Sequence, residues 1–158
     1  MKIEPADAAF FRETASWRYP PPYDFYDGDQ ESIENPERYF AVRDACGLIG
    51  FFYFERQGDT LEYGLGLRPD LTGRGFGEEF SRAGLEFGRA RFSPKKIILN
   101  VAAFNERAMK VYERLDFYEV GRHIRAFERW GAVEFVEMEE RRAQGYESEP
   151  PGGGSLRT

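Results

Sequence analysis

Three glycines, Gly73, Gly75 and Gly77, alternate within the stretch LRPDLTGRGFGEEF, residues 67–80. Glycine reaches backbone angles closed to other residues and puts no Cβ in the way, so successive amides can turn toward one point. A strand-like run ends at Leu67, and a helical pattern opens after the glycines. The first amides of a helix lack intrahelical acceptors and lie at the positive end of its dipole. Strand, glycine turn and helix start in that order make a site for a phosphate or pyrophosphate. The spacing is not the dinucleotide pattern, and no Lys-Ser/Thr pair follows as in a P-loop. The same glycines would also suit a tight turn that serves only packing. Other chemistries are poorly supplied. His123 is the single histidine and falls in a strand-like run, which leaves no metal site and no Ser/His pair. Cys46, the single cysteine, lies in an expected turn and has no partner for an intrachain disulfide, which suits a reducing, cytoplasmic setting.

The elements that must position this turn alternate between strand and helix periods. Residues 5–14 read as a short helix opened by Pro5, and 17–28 (WRYPPPYDFYDG) as an aromatic, proline-stiffened loop. A second short helix is expected around Asp29–Asn35. Tyr39–Asp44, Leu48–Gln57 and Thr60–Leu67 form an antiparallel meander. After Pro69 the pattern changes. Gly75–Arg91 is helical with Phe76, Phe80, Ala83, Gly84 and Phe87 on one stripe. Ile97–Val101 is a short buried strand, Asn105–Leu115 a helix, and Glu119–Glu128 with Ala132–Glu140 a closing hairpin. The fold class is α+β, or mixed α/β, with a central sheet. One domain is expected over 1–143, followed by a flexible Gly/Pro-rich tail over 144–158.

LRPDLTGRGFGEEF followed by LNVAAFNERAMKVYERLDF (99–117) resembles the core of the GNAT N-acetyltransferases. That family carries a Gln/Arg-x-x-Gly-x-Gly/Ala loop before its central helix, then Asn and Tyr on the next helix. The resemblance is specific over about 60–130 and weaker over 1–59. Thr72 stands where the family usually has Gln or Arg, and Asp116 where a Gly usually precedes the helix-end Phe. The resemblance implies a mostly antiparallel sheet of six to seven strands, splayed between the fourth and fifth, with about four helices.

It also implies acetyl-CoA as donor, with pyrophosphate on the amides of Thr72, Gly73, Arg74, Gly75, Phe76 and Gly77. The pantetheine arm would pair with the strand edge near Leu65 and Leu67. Asn105 would sit beside it, and Arg107 or Lys110 would reach the phosphates. Asn105 equally suits a plain helix N-cap. Tyr112 would be the acid that protonates the departing thiolate, since a phenol with a pKa of about 10 is protonated at neutral pH. As a bare sequence feature it reads as a core aromatic. Glu62, on the face of Gly64 and Gly66, is the candidate base for the acceptor ammonium, or else a charge at a strand end. Trp17, Tyr19, Tyr23, Phe25 and Tyr26 would wall the acceptor pocket, with Asp24, Asp27 and Asp29 drawing an ammonium. A loop that simply packs on the sheet fits the same residues.

Charge agrees with a small anionic ligand near the centre. Residues 1–67 carry 6 Lys/Arg against 13 Asp/Glu, whereas 68–114 carry 10 against 6. No long basic stripe exists for nucleic acid, and no apolar run approaches the roughly 20 residues that span a bilayer. The expected activity is direct acetyl transfer to a primary amine of a small molecule or peptide, without a metal. Two alternatives stay open: a non-catalytic CoA-binding module, or an acyltransferase using another acyl group or a hydroxyl acceptor. The sequence leaves the acceptor and the oligomeric state undecided, a dimer included.

Overall fold

The computed structural model describes residues 1–27 and 35–141. Seven strands form one sheet: β1 (Lys2–Pro5), β2 (Tyr39–Asp44), β3 (Gly47–Gln57), β4 (Thr60–Leu67), β5 (Lys96–Ala102), β6 (Phe117–Phe127) and β7 (Gly131–Glu140). Their order is β1-β2-β3-β4-β5-β7-β6. Every neighbouring pair is antiparallel except β4 and β5, which run parallel. Three α-helices occur among the described residues: α1 (Ala8–Thr14), α2 (Gly77–Phe92) and α3 (Glu106–Arg114). The helix expected around Asp29–Asn35 and the tail from 144 fall outside the described residues, Asn35 apart.

The first ten residues depart from expectation. Pro5 does not open a helix; it ends an edge strand and stands opposite Phe40 on β2. Proline is tolerated there because an edge strand has a side with no ladder bond to lose. The helix starts later, where Asp7 Oδ1 accepts from the Phe10 amide at 2.9 Å.

The two faces of the sheet carry separate cores. On one, α2 and α3 cover Phe40, Phe52, Phe54, Leu61, Tyr63, Leu99, Val136 and Met138. On the other, Phe10, Phe11 and Trp17 close over Ala41 and Leu48. Helix α2 approaches the sheet through small residues, burying Ser81, Gly84 and Gly88 beside Phe80 and Leu85. Tyr63 donates from the sheet to the Ser81 carbonyl at 3.0 Å. Phe76, expected on the inward stripe, instead lies at the helix N-cap and is 44% exposed. Glu140, buried on β7, pairs with Arg89 of α2. Arg114 of α3 reaches Glu78 at the start of α2 at 2.7 Å. These two ion pairs fix the helices against the sheet and against each other.

Candidate active site

β4 and β5 pair over only three residues, Thr60 with Lys96, Leu61 with Ile97 and Glu62 with Ile98. Beyond them β5 continues against β7 as far as Ala102, while β4 continues against β3 as far as Leu67. Tyr63–Leu67 therefore has one ladder edge without a strand partner. The Arg68 amide donates to Ile49 of β3 at 2.8 Å. Groups of successive residues point to opposite edges of a strand, so the Leu67 and Leu65 amides and carbonyls face the opening. An open edge of this kind accepts an extended, amide-bearing ligand by strand addition.

The opening leads into a cleft of about 1000 Å³. At one end lies the glycine turn, with Thr72, Gly73, Gly75 and Gly77 in its wall. Gly73 has φ +70° and Gly75 φ +87°, angles that side-chain-bearing residues rarely adopt. A Cβ at 75 would meet nothing within 4 Å, so the turn leaves room above its amides. No side chain caps α2 at Phe76, and its first amides stay available. Thr72 spends its hydroxyl inside the turn, donating to the Pro69 carbonyl at 2.8 Å. Arg74 turns outward, with its guanidinium on the Asp70 carbonyl at 3.1 Å and 5.8 Å from the Phe76 ring. The turn presents backbone to the cleft; Arg74 and Phe76 do not line it.

Helix α3 supplies the opposite wall. Asn105 caps it, its Oδ1 accepting from the Ala108 amide at 3.1 Å, while Nδ2 donates to the Tyr26 hydroxyl at 3.2 Å. The N-cap reading thus holds, and the amide group also ties the aromatic loop down. Arg107 lays its guanidinium 4.2 Å over the Tyr23 ring and reaches toward Gly73. Lys110 and Tyr112 line the cleft one and two turns into the helix. Burial holds the Tyr112 phenol well above the ordinary tyrosine range, and the nearby Tyr26 hydroxyl adds to the effect. Tyr112 is therefore neutral and proton-bearing at any ordinary working pH. The turn after α3 survives the Gly-to-Asp departure, because Asp116 itself takes φ +73°. Asp is among the few residues that tolerate that region.

The aromatic loop walls the cleft's other half, with Trp17, Tyr19, Tyr23, Phe25, Tyr26 and Asp27 all in its lining. Trp17 is buried and stacks on Phe51 at 6.5 Å. Tyr19 crosses to the open strand edge and donates its hydroxyl to the Leu67 carbonyl at 2.6 Å. Its amide donates to Asp27 Oδ1 at 2.8 Å. Burial raises the Tyr19 phenol, with the Asp27 charge second. Phe25 anchors the loop edge-on against Phe104, Phe127 and Trp130. Asp24 does not line the cleft, and Asp29 lies outside the described residues.

Glu62 is the last β4 residue paired to β5, on the face of Gly64 and Gly66. Its Oε2 accepts from Asn100 Nδ2 at 3.1 Å and its Oε1 from Gln57 Nε2 at 3.4 Å. Glu62 itself is not in the cleft wall, whereas Asn100 is. Sequence reasoning passed over Asn100, although a polar residue inside the apolar run Ile97–Val101 was a visible signal. Among the described residues no group of three His, Cys, Asp or Glu is placed to hold a metal ion. No described helix is long and apolar enough to cross a membrane.

The sheet thus parts between two parallel strands, with a glycine turn and an uncapped helix beside the gap. The GNAT acetyltransferase domain model matches residues 2–118, and the chain belongs to that family. A spermidine N(1)-acetyltransferase of Vibrio cholerae is 27% identical over 125 residues, covering 73% of this chain and 72% of that protein. A mycothiol acetyltransferase of Corynebacterium efficiens is 32% identical over 83 residues, covering 51% of this chain. The chain spans only about a quarter of that longer protein, the match covering 28% of it. Among solved structures, the Vibrio cholerae spermidine N-acetyltransferase in complex with CoA and spermine superposes with a TM-score of 0.63 at 22% identity, covering 90% of this chain and 97% of that one. A GNAT acetyltransferase from Bacillus anthracis gives 0.68 at 16% identity, covering 87% and 92%. At these identities the superpositions speak for the fold alone.

Proposed function

We propose that this protein is an N-acetyltransferase that moves an acetyl group directly from acetyl-CoA to a primary amine. The observation that carries the reading is the meeting, in one cleft, of the open Tyr63–Leu67 edge, the amides of residues 72–77 and the buried Tyr112. The residues present suit the donor. Backbone amides at a helix start take a pyrophosphate, Lys110 and Arg107 supply cations beside it, and Leu65 and Leu67 offer ladder groups to pantetheine. Trp17, Tyr19, Tyr23 and Tyr26 hold the apolar part of the acceptor, and aromatic faces also favour an ammonium.

Glu62, directly or through water, takes a proton from the ammonium. The free amine attacks the thioester carbonyl carbon, and the C–N bond forms as the C–S bond breaks. Tyr112 gives its phenolic proton to the departing sulfur and recovers one as the new amide nitrogen sheds its second. Glu62 then releases its proton to solvent. Thiol release from acetyl-CoA tests the proposal, using amines that include spermidine, spermine, aminoglycosides and lysine peptides. The spermidine-acetylating relative puts polyamines first in that panel. Amine-dependent release is the expected result. CoA binding without release would favour the non-catalytic module. Release only with longer acyl donors or hydroxyl acceptors would replace the present reading.

A further inference from the structure

Asn100 stands on β5 two residues past Ile98, where the strands have just parted, and on the same face of the strand. Its Nδ2 holds Oε2 of Glu62 at 3.1 Å. An ionised carboxylate only accepts hydrogen bonds, so the amide must turn nitrogen toward Glu62 and oxygen away. That oxygen is shut off from solvent and has no hydrogen-bond partner, the one such side-chain atom among the described residues. A buried acceptor left unpaired opposes folding, so a residue serving only to fill this strand would be apolar. Asn100 instead lines the cleft where β4 and β5 part, and its other amide atom is on the carboxylate.

We propose that Asn100 is a positioning residue, its Nδ2 holding the Glu62 carboxylate where the acceptor amine enters between β4 and β5, at the expense of an unpaired Oδ1. The proposal rests on the reading of Glu62 as the base. The surrounding charges leave this role to Asn100. On the β3 side Glu55 stands opposite Glu62 but is held by Arg38 at 3.3 Å and by the Tyr53 hydroxyl at 2.8 Å. On the β7 side Glu139 is held by Lys96 at 3.2 Å, and Glu137 stands opposite Asn100. Glu62 is held by two neutral amides, those of Asn100 and Gln57.

The test compares wild type with Asn100→Leu and the isosteric Asn100→Asp, in steady-state kinetics over pH. Thermal melting and calorimetric titration with CoA serve as checks on folding and on the donor half. Asn100→Leu should lower kcat/KM for the amine by about 10- to 100-fold, with KM for acetyl-CoA changed by no more than about 2-fold. Asn100→Asp puts a second carboxylate against Glu62, and the two will share a proton. The acid limb of kcat/KM should then move up by about one pH unit or more. Unchanged amine kinetics and an unmoved acid limb in both variants would overturn the role of Asn100 while leaving the acetyltransferase reading intact. A wild type that binds CoA yet releases no thiol with any amine would overturn that reading, and the inference with it.

Discussion

Replacing Gly84 by alanine would ordinarily stabilise a helix, by up to about 1 kcal/mol. Here it should do the reverse. A methyl group at 84 would overlap the Tyr63 hydroxyl and lie 2.7 Å from Cδ1 and Cε1 of Phe52. Neither neighbour has room to yield. Tyr63 is 2% exposed and Phe52 fully buried, and the Tyr63 hydroxyl is committed to the Ser81 carbonyl. Forcing a methyl into a close-packed core costs about 1–3 kcal/mol, and the displaced hydrogen bond about 1 more. Set against the helix gain, the net loss is about 1–3 kcal/mol. For a chain of this size a loss of about 2 kcal/mol lowers Tm by about 4–8 °C. Urea unfolding should show a lower midpoint at unchanged slope. Tyr63→Phe in the Gly84→Ala background should recover part of the loss, giving a coupling of at least about 0.5 kcal/mol. A Gly84→Ala protein as stable as wild type, or strictly additive variants, would refute the claim that this glycine sets the distance between α2 and the sheet.

Tyr112→Phe should lower kcat by about 10²–10⁴-fold while leaving Tm and CoA affinity near wild type, because no described residue hydrogen-bonds the hydroxyl; turnover close to wild type would remove the acid role. Gly75→Val places a β-branched residue at φ +87°, and calorimetry should show CoA binding weakened by about 10-fold or more. Burial raises Tyr19, Tyr63 and Tyr112 above 10.0, so each stays neutral in the fold when the unfolded chain would already ionise. Their contribution to stability is complete below about pH 10 and is lost as pH climbs toward the raised values. Melting temperatures should accordingly drop above pH 10, and tyrosinate absorbance from these three should appear only with unfolding. Tyr→Phe variants at the three positions assign that absorbance.

Much of this was legible because the informative residues carry their geometry locally. The alternation in β3 and β4, the glycines of 73–77 and the Asn105 cap each announce a backbone state within a few residues. What stayed hidden depends on distant partners. Lys2–Pro5 has no strand pattern of its own and becomes a strand only by pairing with β2. Arg74 and Phe76 sit in the turn, yet whether they face the cleft depends on how Asp70 and solvent claim them. The link from Tyr26 to Asn105 spans 79 positions, beyond the reach of any periodicity. Asn100 differs: its polarity inside an apolar strand was visible, but the value of that polarity depends on where β4 and β5 separate.

The hydroxyl that Tyr19 plants on the Leu67 carbonyl pins the aromatic loop to the open strand edge, so under the proposed function the acceptor wall and the donor's edge would be tied together. On that proposal, selectivity in this scaffold would not be a detachable module. A laboratory that grafts a foreign segment over residues 17–27 to welcome a bulkier amine will also disturb the berth of the thioester arm, unless the graft restores a hydroxyl at position 19.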